Sequence, residues 1–134
     1  MERLRREAMV VRDSLSFREL ADVSGRMASV QLLGALTCAY AVRIRVDKKM
    51  LVRRNVQNRV EVRTQFYQYH AYAMARADQP RRNLSRIDNA HGEGNLHRHV
   101  FDRNGVEVAR EDILLEDMPT LDEFIRDVIR LGAR

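Results

Sequence analysis

Apolar positions in the first quarter of the chain recur at helical spacing. Leu4, Ala8 and Val11 form one stripe over residues 2–12. Ser16-Phe-Arg-Glu19 then matches a capping box, in which a serine hydroxyl and a glutamate side chain satisfy free amides at a helix start. Leu20, Val23, Met27 and Val30 follow at intervals of three and four, which predicts a second helix ending near Gly34. From Tyr40 the period changes to two. Tyr40, Val42, Ile44 and Val46 alternate with Ala41, Arg43 and Arg45, the pattern of a strand with one buried and one basic face. Asp47-Lys-Lys49 reads as a turn into a short strand at 50–54, and after a polar loop a long strand runs over 60–74. Uninterrupted alternation there places Val62, Thr64, Phe66, His70 and Tyr72 on one face. Glu61, Arg63, Gln65, Tyr67 and Tyr69 take the other.

Ala77-Asp-Gln-Pro80 marks a turn, because proline cannot continue a central ladder. A fourth short strand at 84–87 and a glycine-containing loop at 89–95 come next. Segments 97–101 and 106–110 flank Asp102-Arg-Asn-Gly105, where Asn-Gly predicts a hairpin with a type I′ turn. A second capping box, Thr120-Leu-Asp-Glu123, opens an amphipathic helix with Leu121, Phe124, Ile125, Val128 and Ile129 on one stripe. The expected fold is α+β in one domain of 134 residues: a helical region at 1–38, a mainly antiparallel sheet of about five strands at 39–110, and a closing helix at 119–132.

Composition narrows the function classes. No run of about 20 uncharged apolar residues is present, so a membrane span is not expected. The segment MERLRREAMVVRD lacks the apolar core of a secretory signal, which points to the cytoplasm. Cys38, the only cysteine, lies in an apolar run and reads as a buried thiol rather than a redox group. Charge is uneven: residues 43–98 hold 13 Lys and Arg against 5 acids, and residues 111–134 hold 7 acids against 3 Arg. A basic middle of this kind suits phosphate contacts, while a solvated face would look the same. The long strand from Val60 and the apolar N-terminal stripe also offer a surface for a homodimer.

Three of the four histidines fall between positions 91 and 99. In a strand His97 and His99 project from one face, with Asp88 and His91 near in sequence. That set suits general acid and base work, a hydrogen-bonded structural role, or a metal; nothing fixes its convergence, so no metal and no cofactor is assigned.

The stretch Arg86-Ile-Asp-Asn-Ala-His91 followed by His97-Arg-His99 resembles the signature of the TumE family of toxin–antitoxin toxins. There an Arg-aromatic-Asp-Asn-Ala segment precedes a histidine triplet. Gln65-Phe-Tyr-Gln-Tyr-His70 is similar to the Tyr-rich strand before it. The resemblance covers residues 40–131. It departs from the pattern at Ile87, in the glycine-rich loop, and in the residues before the first strand. It implies a toxin acting on RNA and neutralised by a cognate helix-turn-helix antitoxin. On that reading a metal-independent ribonuclease would draw acid and base from His97, His99, His91 and Asp88. Phosphate and base contacts would come from Arg86, Arg98, Asn89, Arg63, Tyr67 and Tyr69. The alternative is a non-catalytic basic module that holds nucleic acid or a partner, with structural histidines.

Overall fold

A computed structural model describes residues 2, 3, 7, 9–21, 25–90 and 95–133. Eight strands form one antiparallel sheet: β1 (Val10–Asp13), β2 (Ser16–Ala21), β3 (Met27–Cys38), β4 (Val42–Arg54), β5 (Val60–Ala73), β6 (Arg82–Asp88), β7 (His97–Phe101) and β8 (Glu107–Asp112). The chain then closes with one helix, α1 (Leu121–Gly132). From β3 to β8 every strand pairs with the next in sequence, while β1 and β2 lie end to end along the free edge of β3. Where the chain passes from β1 to β2, a Cβ on Gly34 (φ 148°) would stand 2.4 Å from the Ser14 carbonyl oxygen, so only glycine fits beneath the crossing.

The expected N-terminal helices are therefore corrected to strands. Part of the 2–12 stripe lies outside the described residues, and its end is β1. Ser16 and Glu19 cap no helix; they pair with Leu33 and Val30. The apolar spacing of the region fits either period, and cross-strand pairing along the whole of β3 decides it. The signal that was missing is a turn signature at the β3–β4 hairpin. That turn is Tyr40-Ala41, with both residues at positive φ (59° and 58°), a conformation usually given to glycine or asparagine. Arg76 Nη2 donates to the Tyr40 carbonyl and the Met74 amide to that of Ala41, which holds the strained pair in place.

Asp47-Lys-Lys49 is likewise not a turn but mid-strand in β4, which merges two expected strands into one. Its polar side chains have cross-strand partners: Asp47 accepts from Gln31 Nε2 at 2.9 Å, and Lys48 Nζ lies 5.0 Å above the Tyr67 ring. The three N-terminal strands bring the expected count of about five to eight, even though β4 merges two of those expected. The β7–β8 hairpin forms at Asp102-Arg-Asn-Gly105, but only Gly105 takes positive φ. Asp102 Oδ1 accepts the Asn104 and Val106 amides, so an Asx-stabilised turn ending in glycine replaces the expected I′ turn.

The Thr120 capping box forms with both reciprocal bonds, and α1 lays Phe124, Ile125, Val128 and Ile129 on the sheet. Below them are Val42, Ile44 and Val46 of β4, Tyr69, Ala71 and Ala73 of β5, and Leu84 and Ile87 of β6. Burying each large side chain of the helix contributes about 1.5–3 kcal/mol. This core sits under one half of the sheet only.

The other half comprises β2 and the distal parts of β3, β4 and β5. No described element covers it, and Phe17, Leu20, Val60 and Val62 are exposed. The two halves meet at a bulge in β5, where Lys49 pairs with Phe66 and Met50 with Thr64, leaving Gln65 as the extra residue. The bulge reverses the expected alternation. Val62 and Thr64 share the helix side with Tyr67 and Tyr69, whereas Phe66, His70 and Tyr72 share the opposite side with Glu61 and Arg63.

Candidate active site on the uncovered face

Strand alternation separates packing from chemistry in β6 and β7. Ile87 is fully buried beneath α1, and its neighbours Arg86 and Asp88 project from the face that carries no helix. In β7, His97 and His99 take that same face, directly opposite Asp88 and Arg86. The next strand adds Asp112 opposite His97 and Arg110 opposite His99. Side chains facing each other across such a ladder have Cβ atoms about 5 Å apart, close enough to bond.

The result is a chain of ionic contacts. Arg86 Nε donates to Asp88 Oδ2 at 2.5 Å, His99 Nε2 lies 3.2 Å from the same oxygen, and His99 Nδ1 lies 2.5 Å from Glu107 Oε1. Arg110 Nε follows at 3.7 Å from Glu107. His97 Nδ1 is 2.9 Å from Asp112 Oδ1. Asp88 is buried, and burial pushes its carboxyl up. The Ala90 amide, the Arg86 guanidinium and His99 more than offset that and hold it below the usual carboxylate range. Hydrogen bonding to His99 holds the Glu107 carboxyl low as well. The hydrogen bond of the ring is the one between Nδ1 and Glu107, while Nε2 faces Asp88 at ion-pair distance.

A cavity of about 400 Å³ opens beside this chain, lined by His70, Asn83, Arg86, Asp88, Ala90, His99, Phe101, Gly105, Glu107 and Arg110. That size suits a small ligand or one nucleotide unit of a longer one. His70, on the strand face it shares with Phe66 and Tyr72, borders this cavity and bonds Asn83 at 2.8 Å. Burial lowers its pKa, assisted by the charges of Arg86, Arg81 and Arg45 against the opposing Asn83 bond.

The other expected site residues divide. His91 lies outside the described residues. Tyr67 and Tyr69 are on the helix side: Tyr69 is buried with its ring 5.5 Å from that of Phe124, and burial, then the neighbouring Tyr67, push its phenol up to about 12. Neither can stack a base beside the histidines. Register also puts Arg98 on the helix side, opposite Ile87. Arg63 belongs to the uncovered half of the sheet, opposite Leu51 and away from the histidines. Asn89 is buried and structural: its Oδ1 accepts the Tyr67 amide at 2.8 Å and its Nδ2 donates to the Gln65 carbonyl at 3.1 Å, which latches the bulge. Sequence reasoning missed Glu107, Arg110 and Asp112. Alternation puts Arg110 and Asp112 on one face, but Glu107 joins them only through the irregularity opposite Val100 and Phe101, and their place opposite the histidines is set by strand pairing.

No helix of the described residues is long and apolar enough to cross a membrane. No family model, curated protein or solved structure matches the chain.

Proposed function

We propose that the uncovered face binds RNA through its phosphates and cleaves it without a metal, as a toxin of the TumE kind. The observation that supports this is the grouping of His97, the His99–Glu107 pair, Arg86 and Arg110 on one face of β6, β7 and β8. His97 and His99 stand roughly 6.6 Å apart along β7, a separation that admits a phosphate between two proton-transferring groups. Asp112 stands 2.9 Å from His97 Nδ1 and sets a negative charge beside that ring. One of the two groups removes the proton of a ribose 2′-hydroxyl, whose oxygen attacks the adjacent phosphorus. The bond to the 5′-oxygen breaks, the other group protonates that oxygen, and a 2′,3′-cyclic phosphate remains. Arg86 and Arg110 offset the charge that gathers on the phosphorane. Asp88 acts through its neighbours, holding Arg86 and His99 in place. The same reading places the protein's work in the cytoplasm and expects a helix-turn-helix antitoxin as partner.

The test is induced expression of the wild type, His97→Ala and His99→Gln, with the fold of each checked by circular dichroism. Growth arrest and new RNA ends bearing 5′-hydroxyls are expected from the wild type alone. Normal growth with intact RNA would sink the proposal, and unchanged cleavage by both variants would remove the histidines from it.

One observation favours a second reading, a binding module without catalysis: His99 is 7% exposed, and both of its ring nitrogens face carboxylates, as in a structural bolt. RNA binding that weakens steeply with salt, unaccompanied by cleavage, would select it.

A further inference from the structure

The cavity beside His99 changes character along its lining. At one end are the ions of the cleavage centre; at the other are His70, Asn83, Phe101 and the backbone of Gly105. Two hydrogen bonds fix the donors and acceptors at this second end. Asn83 Nδ2 lies 3.4 Å from the Gly105 carbonyl, which orients the amide with Oδ1 toward His70. His70 Nε2 lies 2.8 Å from that Oδ1, so Nε2 carries the proton and Nδ1 is the ring's acceptor. The lowered pKa of His70 keeps the ring in this neutral form.

Position is fixed as well. A Cβ on Gly105 would lie 2.7 Å from the Asn83 backbone nitrogen, so the turn packs its backbone directly against β6 at this residue. The Asn83 side-chain amide is held from two sides by its bonds to His70 and the Gly105 carbonyl, with one N–H and one lone pair more than those two bonds consume. A side-chain amide with an adjacent donor and acceptor matches the N6–H and N7 edge of adenine. Phe101 supplies an aromatic surface in the same cavity, and aromatic rings hold unstacked bases.

We propose that this end of the cavity is a nucleobase subsite that reads adenine through Asn83, adjoining a phosphate held by Arg86 and Arg110. The proposal rests on the RNA reading above but does not depend on cleavage. It follows that sequence preference is set by β6 and the β7–β8 turn rather than by the histidines.

Calorimetric titration of the full chain with the four nucleoside 3′-monophosphates and with ribose 5-phosphate, which has no base, tests it. Adenosine 3′-monophosphate is expected to bind tightest and about tenfold more tightly than ribose 5-phosphate. Asn83→Leu should bring the four nucleotides to within about threefold of one another while leaving ribose 5-phosphate affinity unchanged. Asn83→Asp, which replaces the donor by an acceptor, should turn the preference away from adenine and serves if the leucine variant does not fold. Nucleotides binding no better than ribose 5-phosphate, or an adenine preference surviving both variants, would overturn the subsite and leave the phosphate site standing. Failure of every probe, ribose 5-phosphate included, would remove the RNA reading with it.

Discussion

The two halves of the sheet are built from the same strands and differ in almost every physical respect. Under α1, β4, β5 and β6 bury one face completely and present ionisable groups on the other. Beyond the Gln65 bulge the continuations of β4 and β5, with β2 and the first part of β3, bury little on either face. The order of the site therefore derives from the helix on the far side of the sheet. His97, His99, Arg86 and Asp88 are held because the residues between them are pinned by packing.

The largest effect is expected from breaking the covered half. Phe124→Ala removes a buried ring that touches Tyr69 and should cost about 3–5 kcal/mol, a large part of a domain's total stability. Its denaturant midpoint should fall accordingly, and the site should be lost with it. Asn89→Ala acts at the junction. It removes the two bonds that latch the bulge and leaves a buried amide and a carbonyl of β5 without partners, at about 2–4 kcal/mol in the same measurement.

Acid separates two groups on the uncovered face. His70 has a lowered folded pKa, so the unfolded chain takes up the proton first as pH drops through about 6.5, and stability declines from there downward. Asp88 is also lowered, so its contribution is complete above pH about 4 and disappears as pH falls through the folded value. Denaturation followed from pH 8 to 2 should show both arms. His70→Gln should remove the upper arm and Asp88→Asn the lower, and a single arm unaffected by His70→Gln would refute the assignment. The smallest effect belongs to the uncovered half: Phe17→Ser should leave the midpoint within about 0.5 kcal/mol of the wild type, and a larger loss would show that this half is packed after all.

Much of the covered half was legible in sequence. The capping box at Thr120, the extent of β5 and the hairpin at Gly105 are local signals, and local interactions produce them. The N-terminal strands were not legible, because a turn made by Tyr40 and Ala41 has no compositional mark and the apolar spacing of β3 is ambiguous. At the site, period two was enough to put His97 and His99 on one face; their place opposite Asp88 and Arg86 comes from the register of β6 on β7. It failed for Tyr67 and Tyr69, since one extra residue at Gln65 exchanges the faces of β5, and a bulge leaves no trace in a pattern of apolar and polar letters. Glu107, Arg110 and Asp112 come from the neighbouring strand, whose register is a property of the paired state.

The strict alternation in β6 and β7 has a consequence for how such a protein can change. Ile87 answers to α1, while Arg86, Asp88, His97 and His99 answer to whatever occupies the uncovered face. Each set can be replaced without consulting the other. A lineage built on this sheet could therefore exchange its ligand or its chemistry by substituting every second residue of two short strands, and keep its architecture throughout.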